Sequence, residues 1–198
     1  MTIFRPVLAR IIALLCLMLT APLAAQTEIN APDGPWVHTA TGTRFPQAML
    51  GFQRDAITQF DEQARNVGVS YSAEMGEELL MVDLFVYPQY PGVSCAEVFG
   101  SVKAAIKYPG ISMLSESMAL PPGGMGERTA HYARYFFPAG AMREGFPALV
   151  SDAYLFCSTD GQWLVKYRAS WTGSAETFPD LKPFLKSLAW NASLSGAN

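Results

Sequence analysis

The sequence predicts an α+β fold: an antiparallel sheet of about seven strands, with one helix between two strand groups and one C-terminal helix. Two observations predict it. Seven runs rich in β-branched and aromatic residues are separated by Gly, Pro and polar residues, which is typical of strands and turns. Apolar side chains recur at helical spacing near residues 95–107 and 178–190. Because three of the runs precede the first helix and four follow it, that helix divides the strands into two groups.

The N-terminal segment has the pattern of an export signal. Arg5 and Arg10 precede an apolar run, small residues lead to Ala25, and the segment contains no acidic residue. A membrane span needs ~20 apolar residues, and residues 11–25 fall short of that and contain Pro22. We therefore predict cleavage after Ala25 and a periplasmic or secreted location. The alternative is a retained membrane anchor.

The rest of the chain is predicted to form one domain. The predicted division is a signal peptide at residues 1–25, a flexible leader at 26–35, a single α+β domain at 36–190 and a C-terminal tail at 191–198. Cleavage would remove two positive charges and change the formal net charge from −3 to −5. A mildly acidic chain without a Lys or Arg cluster makes nucleic acid and anionic membrane surfaces unsuitable partners.

The first strand group is predicted at residues 51–60, 67–75 and 79–88, after a short strand at 36–41. Polar segments and a tight turn at Gly76 separate the three strands. In the third strand, both sets of alternating side chains are largely apolar. Two apolar faces are typical of a strand in the interior of a sheet, so we expect this strand to be central.

The helix between the groups is predicted to start at Cys95 and to end near residue 107. Ser94 and Glu97 fit a capping box, in which each residue satisfies a backbone N–H group of the other. Pro109 and Gly110 follow and stop the helix. An apolar stripe consists of Val98, Val102, Ala105 and Ile106.

Cys95 has two interpretations. After cleavage it shares the chain with Cys157, and an even cysteine count in an oxidising compartment favours a disulfide. That bond would hold the helix against the strand that contains Cys157. The alternative is a reactive thiol at the helix N-terminus, with His131 as the base of a thiol-dependent enzyme.

The second strand group is predicted at residues 111–120 and 128–137 and as a hairpin within 150–171. In the hairpin, the turn around Asp160 and Gly161 decides which side chains share a face. A three-residue turn pairs Cys157 with Trp163 and gives one apolar face, so we predict that register. A shift of one residue would carry two cations into the core.

The opposite face of this hairpin combines aromatic residues with cations, which is typical of surfaces that hold ligands or partner proteins. We predict a candidate ligand or partner face there, and the alternative is a second buried layer. This face consists of Tyr154, Phe156, Lys166 and Arg168, with Leu164 between them.

No catalytic residue, metal site or cofactor is predicted. The sequence lacks the Gly-x-Ser-x-Gly pattern of a serine nucleophile. Its two histidines, His38 and His131, are 93 positions apart, whereas a metal site needs several converging ligands. These observations favour binding or structural support over catalysis.

The order of elements resembles that of the PsbP/Mog1-like α+β fold. The stretches FPQAMLGFQRD, VGVSY and DLFVYP resemble a recurring pattern in uncharacterised exported proteins of Gram-negative bacteria. These resemblances imply an α+β fold and export, and they bring no functional motif to this chain.

The expected function is that of an exported, soluble cell-envelope protein that acts as a non-catalytic binding or structural module. The expected partner is an envelope protein or a small molecule. Two alternatives stay open at this point: a thiol-dependent enzyme that uses Cys95 with His131, and a small-molecule carrier.

Overall fold

The computed structural model describes residues 26–30 and 33–196. The predicted signal segment, residues 1–25, lies outside the described residues. No helix in this described part of the chain is long and apolar enough to cross a bilayer. The strands are β1 (Thr27–Glu28), β2 (Trp36–Val37), β3 (Arg44–Phe45), β4 (Ala48–Met49), β5 (Phe52–Gln59), β6 (Val67–Met75), β7 (Glu78–Pro88), β8 (Ser112–Ala119), β9 (Ala130–Phe137), β10 (Leu149–Cys157) and β11 (Trp163–Trp171), and the helices are α1 (Cys95–Ala105), α2 (Lys182–Ser187) and α3 (Ala192–Ser195).

Nine of the described strands form one antiparallel sheet, and three short helices pack around it. The strand order is β1-β5-β6-β7-β11-β10-β9-β8, and β4 pairs with β5 as well. β2 and β3 form a separate two-stranded hairpin. The prediction of an α+β fold with about seven strands, one intervening helix and one C-terminal helix is therefore wrong. The molecule is mostly antiparallel sheet.

The additional elements are short, which is why periodicity did not predict them. β1 and β4 have two residues each, too few to show an alternating pattern, and both pair with β5. α3 has four residues and begins where the Asn191 side chain accepts a hydrogen bond from the Leu194 N–H at 3.0 Å. α2 is shorter than predicted, because it begins only at Lys182, beside Pro183.

β7 and β11 join the two strand groups. They pair over nine consecutive positions, from Pro88 opposite Trp163 to Leu80 opposite Trp171. β7 therefore lies between β6 and β11, which confirms that it is a central strand. Its side chains at Leu80, Val82, Leu84 and Val86 are fully buried.

The sheet carries a core on each face. On one face, hereafter the C-terminal face, the β10 and β11 side chains Tyr154, Val165 and Tyr167 pack in the same core as Phe184 and Leu185 of α2. On the opposite face, hereafter the α1 face, the core consists of Leu155, Leu164, Phe137 and neighbours together with Val98 and Phe99 of α1. Each face of this half of the sheet thus has its own helical cover.

A disulfide between Cys95 and Cys157 fixes α1 to the α1 face. The two Cα atoms lie 6.0 Å apart, with 62 positions between them in sequence. The capping box is present as well, since the Ser94 N–H donates to Glu97 at 2.8 Å and the Glu97 N–H donates to the Ser94 hydroxyl. The predicted disulfide, helix start and placement of the helix against the Cys157 strand are confirmed.

The predicted register of the β10–β11 hairpin is wrong by one residue. Cys157 lies opposite Leu164, not Trp163. The turn decides this, because the Ser158 hydroxyl accepts hydrogen bonds from the N–H groups of Gln162 and Trp163, at 3.2 and 2.9 Å. Gly161 supplies the left-handed residue of that turn, with φ at 68°. Side-chain bonding within the loop therefore outweighs the preference for one uniformly apolar face.

Candidate ligand-binding site

A cavity with a volume of about 410 Å³ lies on the C-terminal face. Its base consists of side chains from β8, β9, β10 and β11. Its roof is the segment that leads into α2, from Phe178 to Lys186, and its side is the loop after β8, at Pro121, Pro122 and Gly124. The cavity therefore lies between the sheet and the C-terminal cover.

An ion pair forms the polar part of the base. Arg134 of β9 lies directly opposite Asp152 of β10 in the sheet register. The guanidinium donates from Nε at 2.7 Å and from Nη2 at 2.9 Å to the two carboxylate oxygens, so the pair is bidentate. Asp152 is 3% exposed, which requires such a partner, since burial of an unpaired carboxylate is costly.

Aromatic rings line the rest of the cavity. Tyr154 and Tyr167 lie opposite each other and stack, with centroids 4.7 Å apart and planes 7° from parallel. Phe178, from the roof, lies over the Arg134 guanidinium at 4.2 Å. Tyr132 contributes a third phenol beside the ion pair. The cavity thus combines flat apolar surfaces with one fixed charge pair.

Burial shifts the titration of these groups. The hydrogen bonds that Arg134 donates to Asp152 raise the pKa of Arg134, so the guanidinium stays charged. Burial raises the pKa of Asp152, and the bonds from Arg134 act in the opposite direction. Burial also raises the pKa of Tyr132, Tyr154 and Tyr167 well above the usual value. These phenols remain neutral near pH 7 and can serve as hydrogen-bonding or stacking surfaces.

The mouth of the cavity carries mostly positive charge. Arg128, Lys182 and Lys186 line it with exposed side chains, and Asp180 is the acidic residue among them. The Asp180 carboxylate accepts a hydrogen bond from the Lys182 backbone N–H at 3.0 Å. The mouth therefore differs in charge from the base, where Arg134 and Asp152 balance each other.

The four residues of the predicted ligand face do not share one face. Tyr154 and Phe156 are buried in the core of the C-terminal face. The one-residue difference in register places Lys166 and Arg168 opposite Leu155 and Ala153, on the α1 side of the sheet. Of the four, Tyr154 alone lines the cavity of about 410 Å³. A single surface that combines all four residues is therefore not formed.

Lys166 and Arg168 lie in aromatic surroundings on the α1 side. The Lys166 ammonium is 4.1 Å from the centroid of Phe85, and the Arg168 guanidinium is 5.0 Å from that of Phe137. Arg168 Nε also donates to the Ser151 hydroxyl at 3.2 Å. Long cationic side chains can bury their stems while their charges rest on aromatic rings, so the register is tolerated. A smaller depression of about 220 Å³ adjoins Lys166.

Cys95 and His131, the two residues of the thiol-enzyme alternative, each have another partner in the structure. The Cys95 sulfur is bonded to Cys157, so it has no thiol that could act as a nucleophile in this state. The His131 ring stacks on Phe99 at 5.2 Å. His38 is fully buried and lies within hydrogen-bonding distance of Thr41 Oγ1 and the Ala64 carbonyl. Within residues 26–30 and 33–196, no group of three His, Cys, Asp or Glu residues could hold a metal ion.

Sequence reasoning missed most of the cavity, including Tyr132, Arg134, Asp152 and Phe178 at its base and roof and Lys182 and Lys186 at its mouth. A signal was present in two of them. Arg134 and Asp152 are charged residues in the middle of otherwise apolar or aromatic strands that were predicted to be in one sheet. Their pairing depends on the register between β9 and β10, which the sequence does not show.

Comparison with known proteins identified no relative. No protein-family model, no curated protein and no solved structure matches this chain.

Proposed function

We propose that this protein is a non-catalytic binding module of the cell envelope that holds a small molecule in the cavity on the C-terminal face. The observation that carries the proposal is the cavity itself, about 410 Å³ in volume and lined by three tyrosines, a phenylalanine and a partly buried ion pair. Small-molecule sites have volumes of roughly 300–1,000 Å³, with aromatic walls and a few placed polar groups.

The polar groups at the base support binding of a ligand that combines a ring with hydrogen-bond acceptors. Two bonds to Asp152 use the Nε and Nη2 donors of Arg134, and Nη1 makes one long bond, at 3.4 Å to the Ala175 carbonyl. An arginine has five N–H donors, so Arg134 retains capacity for a ligand oxygen. The neutral phenol of Tyr132 lies beside it, is partly exposed and offers a flat surface for stacking, and the buried Tyr154 lies opposite Tyr132 in the sheet.

The disulfide supports an envelope location. Structural disulfides persist in oxidising compartments and are rare in reducing ones. The bond between Cys95 and Cys157 fits the exported location that the N-terminal sequence predicts. The same bond removes the thiol that a cysteine-dependent enzyme would need, which favours binding over catalysis.

The test uses a fluorescent neutral ligand, phenylnaphthylamine, whose emission rises in apolar surroundings. We expect saturable binding at one site of the folded protein. Ser117→Trp should abolish it, because Ser117 lines the cavity with an exposed side chain and an indole would occupy the opening.

The matched control is Leu114→Trp, on the same edge strand and 48% exposed, but away from the cavity. It should leave binding unchanged. Both variants are compared with the parent by near-UV circular dichroism to show that the fold is retained. Absence of saturable binding to the parent, or equal binding by the parent and Ser117→Trp, would refute the proposal.

A further inference from the structure

We infer that the ligand of this cavity is an amphipathic anion, with one acidic group at the mouth and a flat apolar body against the tyrosines. This inference rests on the proposed function and specifies its ligand class. It follows from the distribution of charge around the cavity, from the state of each lining cation, and from the aromatic surface below them.

The residues that line the cavity carry a net positive charge, although the chain as a whole is negatively charged. Its lining includes four cations but two carboxylates, whereas the whole chain has a formal net charge of −3. The excess lies at the mouth, since Arg134 and Asp152 neutralise each other at the base. A local excess of positive charge in a partly enclosed cleft concentrates anions there.

The cations at the mouth are available to a ligand. In the described part of the chain, no carboxylate forms an ion pair with Arg128, Lys182 or Lys186. Two of them, Lys182 and Lys186, project from one helix, α2, and are four positions apart, so they lie on the same side of it. Asp180 opposes them, but its carboxylate is directed to the Lys182 backbone.

The aromatic base of the cavity favours a ligand with a flat apolar body. Tyr132 and Phe178, which are partly exposed, form an apolar surface below the charged mouth, and the stacked Tyr154 and Tyr167 rings, 2% and 5% exposed, support the base beside them. A fully hydrated inorganic anion would leave this surface uncovered, and an uncharged apolar ligand would leave the lysines without a partner. A ring-bearing carboxylate or phosphate satisfies both regions at once.

A pair of probes with one shared skeleton separates charge from shape. Anilinonaphthalene sulfonate is an aromatic anion, and phenylnaphthylamine is the same skeleton without the acidic group. We expect the anion to bind more tightly than the neutral probe, and both to be excluded by Ser117→Trp. Raising the ionic strength from about 0.01 M to about 0.15 M shortens the Debye length from about 30 to about 8 Å. This change should weaken binding of the anionic probe and leave binding of the neutral probe unchanged.

Charge reversal tests which residues are responsible. Lys182→Glu and Lys186→Glu should each raise the dissociation constant of the anionic probe about threefold to tenfold, the range expected for an exposed charge pair that is replaced by repulsion. The neutral probe should change by less than about twofold. Lys107→Glu is the matched control, since it makes the same charge change at an exposed lysine outside the cavity.

The outcomes separate the two proposals. If Ser117→Trp excludes both probes but the lysine variants leave the ratio of their affinities unchanged, the anion inference is wrong and the binding proposal stands. If Ser117→Trp affects neither probe, both are wrong. With the anion confirmed, displacement of the probe by naphthoate or by naphthyl phosphate shows which acidic group the mouth prefers.

Discussion

The two faces of the β8–β11 half of the sheet are covered in different ways. On the α1 face, an eleven-residue helix is held by a disulfide, and its Val98 and Phe99 side chains are buried in a closed core. On the C-terminal face, the segment around the six-residue α2 is held by packing and a few hydrogen bonds, without a covalent link, and leaves a cavity of about 410 Å³. The same sheet therefore carries one closed, covalently fixed cover and one open cover.

The side chains beneath each cover account for the difference. The α1 face of β9 and β10 presents Ala133, Ala153 and Leu155, which apolar helix residues can contact directly. The cations that β11 adds on this face, Lys166 and Arg168, rest on the rings of Phe85 and Phe137. The C-terminal face presents Arg134 and Asp152, a charged pair that an apolar cover cannot replace in contact without cost. A space with polar groups at its base can hold water or a ligand, whereas a dry apolar gap loses packing energy.

Removal of the disulfide should have the largest effect on this contrast. We expect Cys95→Ala combined with Cys157→Ala to lower the free energy of unfolding by about 4 kcal/mol, because a loop of 62 positions is no longer constrained in the unfolded chain. Urea denaturation measures the change. Binding of the neutral probe on the opposite face should persist where the variant is folded. An unchanged unfolding free energy would show that packing alone holds α1.

A matched pair of core deletions compares the two covers directly. Phe99 of α1 and Phe184 of α2 are 2% and 1% exposed, and we expect Phe99→Ala and Phe184→Ala each to cost about 3 kcal/mol of stability. Only Phe184→Ala should also weaken probe binding. Phe184 anchors α2 on Phe52 at 4.6 Å and Tyr71 at 5.3 Å, and α2 carries the cavity roof. If Phe99→Ala and Phe184→Ala changed the probe affinity equally, the two covers would not act independently of each other.

The smallest expected effect concerns pH and the β2–β3 hairpin, whose Phe45 packs in the same core as α2. Next to β2, the His38 Nε2 lies 3.0 Å from the Ala64 carbonyl and therefore carries the ring proton, while Nδ1 accepts from Thr41 at 2.7 Å. Burial lowers the pKa of His38 below its model-peptide value of 6.5. As the pH falls below about 6.5, the unfolded chain binds the proton first, so stability decreases by at most about 1.4 kcal/mol per pH unit.

The variant His38→Gln isolates this contribution, since glutamine does not titrate. Unfolding free energies of the parent and the variant, measured between pH 7.5 and 5, should differ in slope over that interval. Parallel curves would show that His38 has the same proton affinity in the folded and unfolded chains.

Local features were predictable to the extent that they depend on neighbouring residues. The seven long strands lie close to their predicted positions, and Ser94 and Glu97 cap α1 as expected. β1 and β4 were missed because each has two residues and forms only where β5 offers an open edge. The candidate site was mostly missed, because its base joins Arg134 and Asp152 from separate strands and its roof comes from the C-terminal segment.

By itself, the sequence determined where the long strands run, where α1 begins and which cysteines pair. The first two depend on spacing within a few residues, and the third depends on a count of two cysteines after the predicted export signal. Tertiary structure alone decided the β10–β11 register, the separation of Tyr154 from Lys166, and the cavity beneath α2. These features arise from contacts between distant parts of the chain and from hydrogen bonds within one turn, where a shift of a single residue moves every side chain to the other face.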